Sequence, residues 1–240
     1  MPGKHRNDTR RPPLLAQGDR LLVLTLGDSI SVETGRQCAR IARALRQAAF
    51  PEVTDVVPTF TTVAIHTRPV PHSARSGSLR DRIHAVIQTV AADTTADTAR
   101  TIDIPVCYEE PCSPDLHHVA RHCGVSPAQI IALHSAAPAY VFMLGFAPGA
   151  PYIGLHDERL QIGRRDTPRT AVPAGSVAIA NRQTMIYPHV SPGGWHIIGA
   201  TPVRLFNPRR QPPTLLEPGD NVRFVPVSHD TFLQLQQGEP

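Results

Sequence analysis

The sequence predicts an α+β protein in two parts, an N-terminal α/β domain over residues 19–136 and an all-β domain over 137–228. Three observations carry this. Between residues 20 and 107, β-branched runs alternate with two amphipathic stretches of helical period. After Ala136-Ala137-Pro138 the character changes to short apolar runs separated by Gly and Pro, the mark of a barrel or sandwich. The 240 residues are 41% hydrophobic and 18% charged, enough for a sizeable core, and with 5% aromatics that core is mainly aliphatic. The 25 prolines are spread along the chain and indicate ordered turns.

Residues 1–18 are basic, polar and Pro-containing, and read as a disordered lead-in. Arg20–Leu26 (RLLVLTL) reads as a buried strand ending at the Gly27-Asp28 turn. Ser31 is placed to cap a helix running to Ala49, with Cys38, Ile41, Ala42, Leu45 and Ala49 on one face and Pro51 as its stop. Val53–Val57 and Phe60–His66 are strands around a Pro58-Thr59 break. A loop with Pro69, Pro71 and Gly77 leads to a second helix capped by Ser78, with Asp81 in its first turn and a stripe of Leu79, Ile83, Val86, Ile87 and Val90. After a polar link, Asp93–Thr98, comes the strand Thr101–Cys107. The order β-α-β-β-α-β is that of a ferredoxin-like fold.

Residues 114–135 form two short helices. Pro114 suits the first turn of one and Gly124 ends it; Ser126 caps the next, with Pro127 at its first position. From Tyr140 onward the segments VFMLGF, SVAIA, QTMIYP, WHIIGA, VRLF and NVRFVPV read as barrel strands, the last after a Pro218-Gly219-Asp220 turn. Residues 229–240 are a polar tail, frayed or briefly helical.

The net charge of +4 permits nucleic-acid binding without establishing it. The helix pair has the Ala120, Gly124 and Ile130 spacing of a helix-turn-helix, but its second helix carries no Arg or Lys for phosphates or bases. Nucleic acid is therefore not an expected partner. No apolar run reaches the ~18 residues of a membrane span, so no membrane partner is expected. Four cysteines without a CxxC pair, and no secretory leader, place the chain in the cytoplasm. Cys112, His117, His118, His122 and Cys123 cluster in sequence, with His118 and His122 one helical turn apart. No second cluster completes four ligands, so no metal is expected.

There is no G-x-S-x-G elbow and no Walker A loop. The glycine-rich segments 145–149 (GFAPG) and 191–194 (SPGG) can present backbone N–H groups to an anion. Arg164, Arg165 and Arg169 lie between them, either as bidentate anion contacts or as surface ion pairs with Asp157, Glu158 or Asp166. His134 stands at a helix end, either as an acid–base group or as a cap for carbonyls.

The segments GFAPGAPYIG, GRRDTPRTAVPAGSVAIA, QTMIYP and SPGGWHIIGATP resemble, in order, the signature of the family of the 5-oxoprolinase B component, the kinase inhibitor KipI and allophanate hydrolase subunit 1. LGDSISVE, VVPTF, IPVCYEEPCSPDL and IALHS extend the resemblance to residues 20–227. It implies an N-terminal α+β domain and a C-terminal cyclophilin-like barrel. It also implies one member, inactive alone, of an ATP-dependent complex opening 5-oxo-L-proline to L-glutamate, or of a related allophanate hydrolase or urea carboxylase-like carboxyltransferase. The implied partners are a LamB/YcsF-like A component, a C component resembling allophanate hydrolase subunit 2, and a small-molecule substrate, with ATP used by the complex. The alternative is a KipI-like inhibitor of a sensor histidine kinase, with no catalysis of its own.

On these motifs the candidate ligand-binding residues are Gly145, Phe146, Pro148, Gly149 and Tyr152; Arg165 and Arg169; and Gln183, Tyr187, Ser191, Gly193, Gly194 and Trp195. His134 is the candidate catalytic group. The chain departs from the family pattern at Ala150 (an aromatic), Met185 (a Gly), Ala200 and Thr61 (each an Arg). Loss of two guanidiniums puts substrate identity in question more than fold.

Overall fold

The computed structural model describes residues 12–69, 78–92 and 99–238. Most of the expected lead-in, the loop with Pro71 and Gly77, the Ser78 cap side chain and the Asp93–Thr98 link lie outside the described residues. The chain divides into two units, residues 1–96 and 97–240.

The first unit is an antiparallel sheet of β1 (Leu14–Gln17), β2 (Leu21–Thr25), β3 (Val53–Pro58) and β4 (Thr62–Thr67), in the order β1-β2-β4-β3. It carries α1 (Val32–Gln47) and α2 (Ser78–Ala92). The Ser31 side chain accepts from the Thr34 N–H at 3.1 Å, which satisfies one otherwise unpaired donor of α1. Cys38, Ile41, Ala42 and Leu45 of α1 join Ile83 and Ile87 of α2 and Leu24, Val56, Val63 and Ile65 of the sheet in one core. Burial pushes the Cys38 thiol up to about 12, so it acts as a small apolar side chain.

The order β2-α1-β3-β4-α2 follows the expected pattern, but its last strand does not. The edge beside β2 is taken by Leu14–Gln17, which turns back through Gly18 in a left-handed conformation (φ 67°). Residues 14–17, expected in the disordered lead-in, are thus a paired strand. Thr101–Cys107, expected in this sheet, pairs elsewhere.

That segment, β5 (Thr101–Cys107), lies parallel to β13 (Asn221–Val227) along its whole length in the second unit. With β6 (Ala139–Leu144), β7 (Pro151–Gly154), β9 (Ser176–Ala180), β10 (Gln183–Ile186) and β12 (His196–Ala200), these two strands close a barrel in the order β10-β7-β6-β13-β5-β12-β9. Ile104, Val106, Val141, Ile153, Val177, Ile179, Ile186, Ile198, Val222 and Phe224 meet in one cluster. Side chains from all seven strands meet only inside a barrel, so this cluster is its interior. Leu116, Val119, Ala120 and Ile130 join it from α3 (Leu116–Cys123) and α4 (Pro127–Ser135). The division therefore falls near residue 96, earlier than the expected 136, because β5, α3 and α4 bury their apolar faces with the barrel.

Of the helix signals, Gly124, Ser126 and Pro127 act as expected, whereas Pro114 lies one residue before the Asp115 N-cap and outside the first turn of α3. Gly124 closes α3 at φ 68°, and Ser126 with Gln129 forms a capping box on α4 with Pro127 at its start. Phe232 is the buried residue of α5 (His229–Gly238), within the expected tail. β8 (Arg169–Val172) and β11 (Ser191–Gly193) form a separate two-stranded ribbon. Among the described residues no helix is long and apolar enough to cross a membrane.

Candidate functional site

Strand β9 reads SVAIA and is buried on both faces. Val177 and Ile179 point into the barrel, whereas Ala178 and Ala180 belong to a second cluster with Val172, Met185, Tyr187, Trp195 and Ile197. By the two-residue period of a strand, this cluster lies on the outside of the barrel wall, under the β8–β11 ribbon. The small alanines make room for aromatic rings. Tyr152 stands edge-on to Trp195 at 5.9 Å, Phe146 edge-on to Tyr187 at 6.4 Å, and the Arg164 guanidinium lies 6.0 Å from the Trp195 ring. Phe146 is held at φ 70° and is 61% exposed. Tyr187 is buried, and a Cβ on Gly193 would collide with its hydroxyl. Burial raises the Tyr187 pKa, against a hydrogen bond from the Trp195 backbone.

The structure thus brings together Phe146, Tyr152, Tyr187, Gly193 and Trp195. Gly194 adjoins them, its carbonyl accepting from the Arg165 N–H at 2.7 Å, and Gly145 abuts the Tyr152 ring. Pro148 is exposed, and Gly149 (φ 79°) packs its α-carbon against Phe206, where a Cβ would lie 2.7 Å from Phe206 Cβ. Gln183 starts β10 opposite Gly154 and Ala180, and Ser191 pairs with Val172 at the far end of the ribbon. Met185, where the family pattern has glycine, is buried in the cluster beneath the rings.

Arg165 and Arg169 do not pair with the surface acids beside them in sequence. Asp157 pairs with Arg159, and Glu158 lies 3.9 Å from Arg182. Both instead converge on Asp115, at the start of α3. Arg169 donates to it through Nη1 at 2.7 Å and Nη2 at 2.9 Å, and Arg165 through Nη1 at 3.0 Å. The Ile197 N–H donates to the same carboxylate at 2.8 Å, and the Asp115 N–H returns a bond to the Ile197 carbonyl at 2.9 Å. Burial opposes ionisation of Asp115, but the Arg169 and Ile197 hydrogen bonds and the two positive charges outweigh it and hold the carboxyl below its usual range. Asp115 ties the ribbon and β12 to α3. Its only local signal was a polar residue at a helix start, which reads as an ordinary cap.

Beside this hub a cavity of about 530 Å³ opens between α3 and residues 162–167, with His118, His122, Arg164, Arg165 and His196 in its lining.

His134 is elsewhere, fully buried at the barrel end of α4. The Tyr108 hydroxyl lies 2.7 Å from its Nδ1, and its Nε2 lies 2.8 Å from Thr184 Oγ1, which is also 2.7 Å from His156 Nε2. The ring stacks on Phe224 at 4.2 Å. Burial drives the His134 pKa well below the usual histidine value, and His156 adds to this. Burial, with Arg182 nearby, lowers His156 to about 4. Both rings are neutral at pH 7. His134 is sealed from solvent at the centre of a polar chain in an apolar core, and its ring nitrogens face Tyr108 and Thr184, not helix carbonyls. Tyr108, Thr184 and His156 gave no sequence signal, because the chain assembles only when four distant segments fold together.

Comparison with known proteins agrees with this architecture. Residues 12–216 match the family model "Carboxyltransferase domain, subdomain C and D". The chain is 34% identical to the B component of 5-oxoprolinase from Bacillus subtilis (strain 168) over 223 residues, which are 90% of this chain and 92% of that one. It is 39% identical to the B component of 5-oxoprolinase from Escherichia coli O157:H7 over 209 residues, covering 87% and 93%. Among solved structures, TTHA0988 superposes with a TM-score of 0.75 at 33% identity; the match covers 87% of this chain and 40% of that one, so the chain spans two-fifths of its length. The K. lactis urea amidolyase superposes at 0.74 over 95% of this chain and 16% of its own, and at 17% identity it shares the fold alone. The chain belongs to the family of the carboxyltransferase domain, subdomain C and D.

Proposed function

We propose that the chain is the B component of an ATP-dependent 5-oxoprolinase-type complex, which opens 5-oxo-L-proline to L-glutamate. The observation that carries this is the similarity to two 5-oxoprolinase B components at 34% and 39% identity, aligned over about nine-tenths of both chains. These relatives favour a member of an enzyme complex over a KipI-like kinase inhibitor. The partners are a LamB/YcsF-like A component and a C component resembling allophanate hydrolase subunit 2, in the cytoplasm.

The chain's part is to bind and position. The exposed Phe146 ring, standing edge-on to the buried Tyr187 near the half-buried Tyr152, offers an apolar contact suited to a partner's side chain. In this reading the isolated chain is inactive: Phe146 and Trp195 carry no acid–base group, and burial raises the pKa of the Tyr152 and Tyr187 hydroxyls and keeps them protonated. ATP is used by the complex; in the 145–149 loop of this chain the open side of Gly149 is filled by Phe206, and Phe146 projects outward.

The test is co-expression of this chain, tagged, with the two partner-type components. Stable co-elution with the C component, and loss of that co-elution in Phe146→Asp, is the expected result. A chain that elutes alone beside folded partners would refute its assignment to the complex.

A further inference from the structure

Cys107 ends β5 and is fully buried, whereas Cys112, with four residues between them, is half-buried. The turn that joins them folds back on itself. The Cys112 N–H donates to the Glu109 carbonyl at 2.8 Å, and the Ser113 hydroxyl donates to the Tyr108 carbonyl at 2.6 Å. These bonds return Cys112 to the end of the strand, where its thiol is in hydrogen-bond contact with that of Cys107. Burial first, then the Cys107 sulfur and the Glu109 carboxylate, push the Cys112 thiol up to about 12, so at pH 7 it holds its proton. Cys123 is raised by burial alone, and Cys38 belongs to the core of the other unit. Both cysteines of the pair are free thiols in this structure.

We propose that Cys107 and Cys112 are a redox-sensitive pair, which a hydroperoxide closes to a disulfide and a thiol reductant reopens. Cys112, the sulfur that solvent reaches, gives its proton to water and attacks one peroxide oxygen. The O–O bond breaks, an S–O bond forms, and the released hydroxide takes up the proton as water. The Cys107 sulfur then attacks the Cys112 sulfenic acid, the S–O bond breaks, and a second water leaves with the Cys107 proton. Two thiols thus lose two electrons and two protons, and hydrogen peroxide gains them. The sulfurs close from contact to a bond of ~2 Å, a short movement for a turn at the surface. Because the Cys112 thiolate is scarce at neutral pH, the pair answers sustained peroxide and not a brief pulse. The bond staples the turn that carries Tyr108 to His134 and leads to Asp115.

The test uses the full reduced chain, held in hydrogen peroxide at pH 8, then unfolded, alkylated and digested with trypsin. No Lys or Arg lies between Arg100 and Arg121, so both cysteines fall on one peptide, residues 101–121. Mass spectrometry is expected to find this peptide two hydrogens lighter and free of alkyl groups, and to find both sulfurs alkylated once dithiothreitol precedes the alkylation. In Cys107→Ala the reaction should stop at the Cys112 sulfenic acid, trapped by dimedone, which the wild type does not accumulate. A wild-type peptide still alkylated at both sulfurs after prolonged peroxide, Cys112 carried to sulfinic acid beside a free Cys107, or a disulfide from Cys112 to Cys123 would each overturn the proposal. No partner component enters the measurement, so its failure is separable from failure of the 5-oxoprolinase assignment.

Discussion

Asp115→Asn is the most informative single substitution, because one carboxylate carries four hydrogen bonds from three segments. The change is nearly isosteric, so it opens no cavity and isolates the charge. Asparagine retains an acceptor for the Ile197 N–H but not the ion pairs. Removing one partner of a fully buried pair costs ~3–5 kcal/mol. Here the Asp115 side chain is 7% exposed, while those of Arg165 and Arg169 are 30% and 25% exposed and gain water when released. That discounts the loss to roughly 2–3 kcal/mol. At ~2–4 °C per kcal/mol for a protein of this size, Tm falls by about 5–10 °C. The assay is thermal unfolding by circular dichroism at pH 7, on wild type and variant. The Asp115 pKa is depressed in the folded state, so its contribution is present above the ordinary carboxylate range and is lost as pH falls through the lowered native value. The Tm gap should therefore close in strong acid and persist in salt, since a buried pair is poorly screened. A variant melting within ~1 °C of wild type at pH 7, less than a typical single-site effect, would show that the Asp115 ion pairs do not stabilise the fold.

Thr184→Val keeps the shape of the side chain but removes the hydroxyl shared by His134 and His156, and should cost roughly 2–3 kcal/mol in urea unfolding; a neutral result would mean the polar chain is not formed. The same chain predicts acid sensitivity. His156 falls from 6.5 to about 4 on folding, so the unfolded state binds more protons between these values and stability drops as pH falls through that window. The drop from this group is about 3 kcal/mol, with His134 acting in the same direction, and an imidazole of His156 that titrates near its ordinary value by NMR would contradict it. Gly193→Ala should displace Tyr187, costing ~1–3 kcal/mol and shifting Trp195 emission, whereas an unshifted spectrum would show that the face tolerates a Cβ there.

What was legible in the sequence was local. The apolar period of α1, the Ser31 and Ser126 caps, Gly124 and the Gly/Pro spacing of the barrel strands each write their physics within a few residues. What was not legible depended on pairing at long range. An apolar strand such as Thr101–Cys107 does not specify which sheet it joins, and it chose β13, more than a hundred residues away. Its vacated edge went to Leu14–Gln17, a segment too short to show a period. Among candidate site residues, Phe146 of GFAPG and Gly193 and Trp195 of SPGGW met around Tyr187 and Tyr152 on the β9–β10 wall, whereas Pro148, Gly149 and Ser191 did not. His134 did not, since its helix-end position gave no hint that the barrel closes over it. Arg165 and Arg169 were marked as anion contacts, and the anion they meet is the protein's own Asp115.

Glutamate release decides whether this chain completes a 5-oxoprolinase-type complex. The three purified components are mixed with 5-oxo-L-proline and ATP, and L-glutamate is measured with this chain present and omitted. ATP-dependent glutamate formation is expected only when all three are present, and none from this chain alone. An assembled complex that forms no glutamate, or a rate unchanged when this chain is left out, would contradict it.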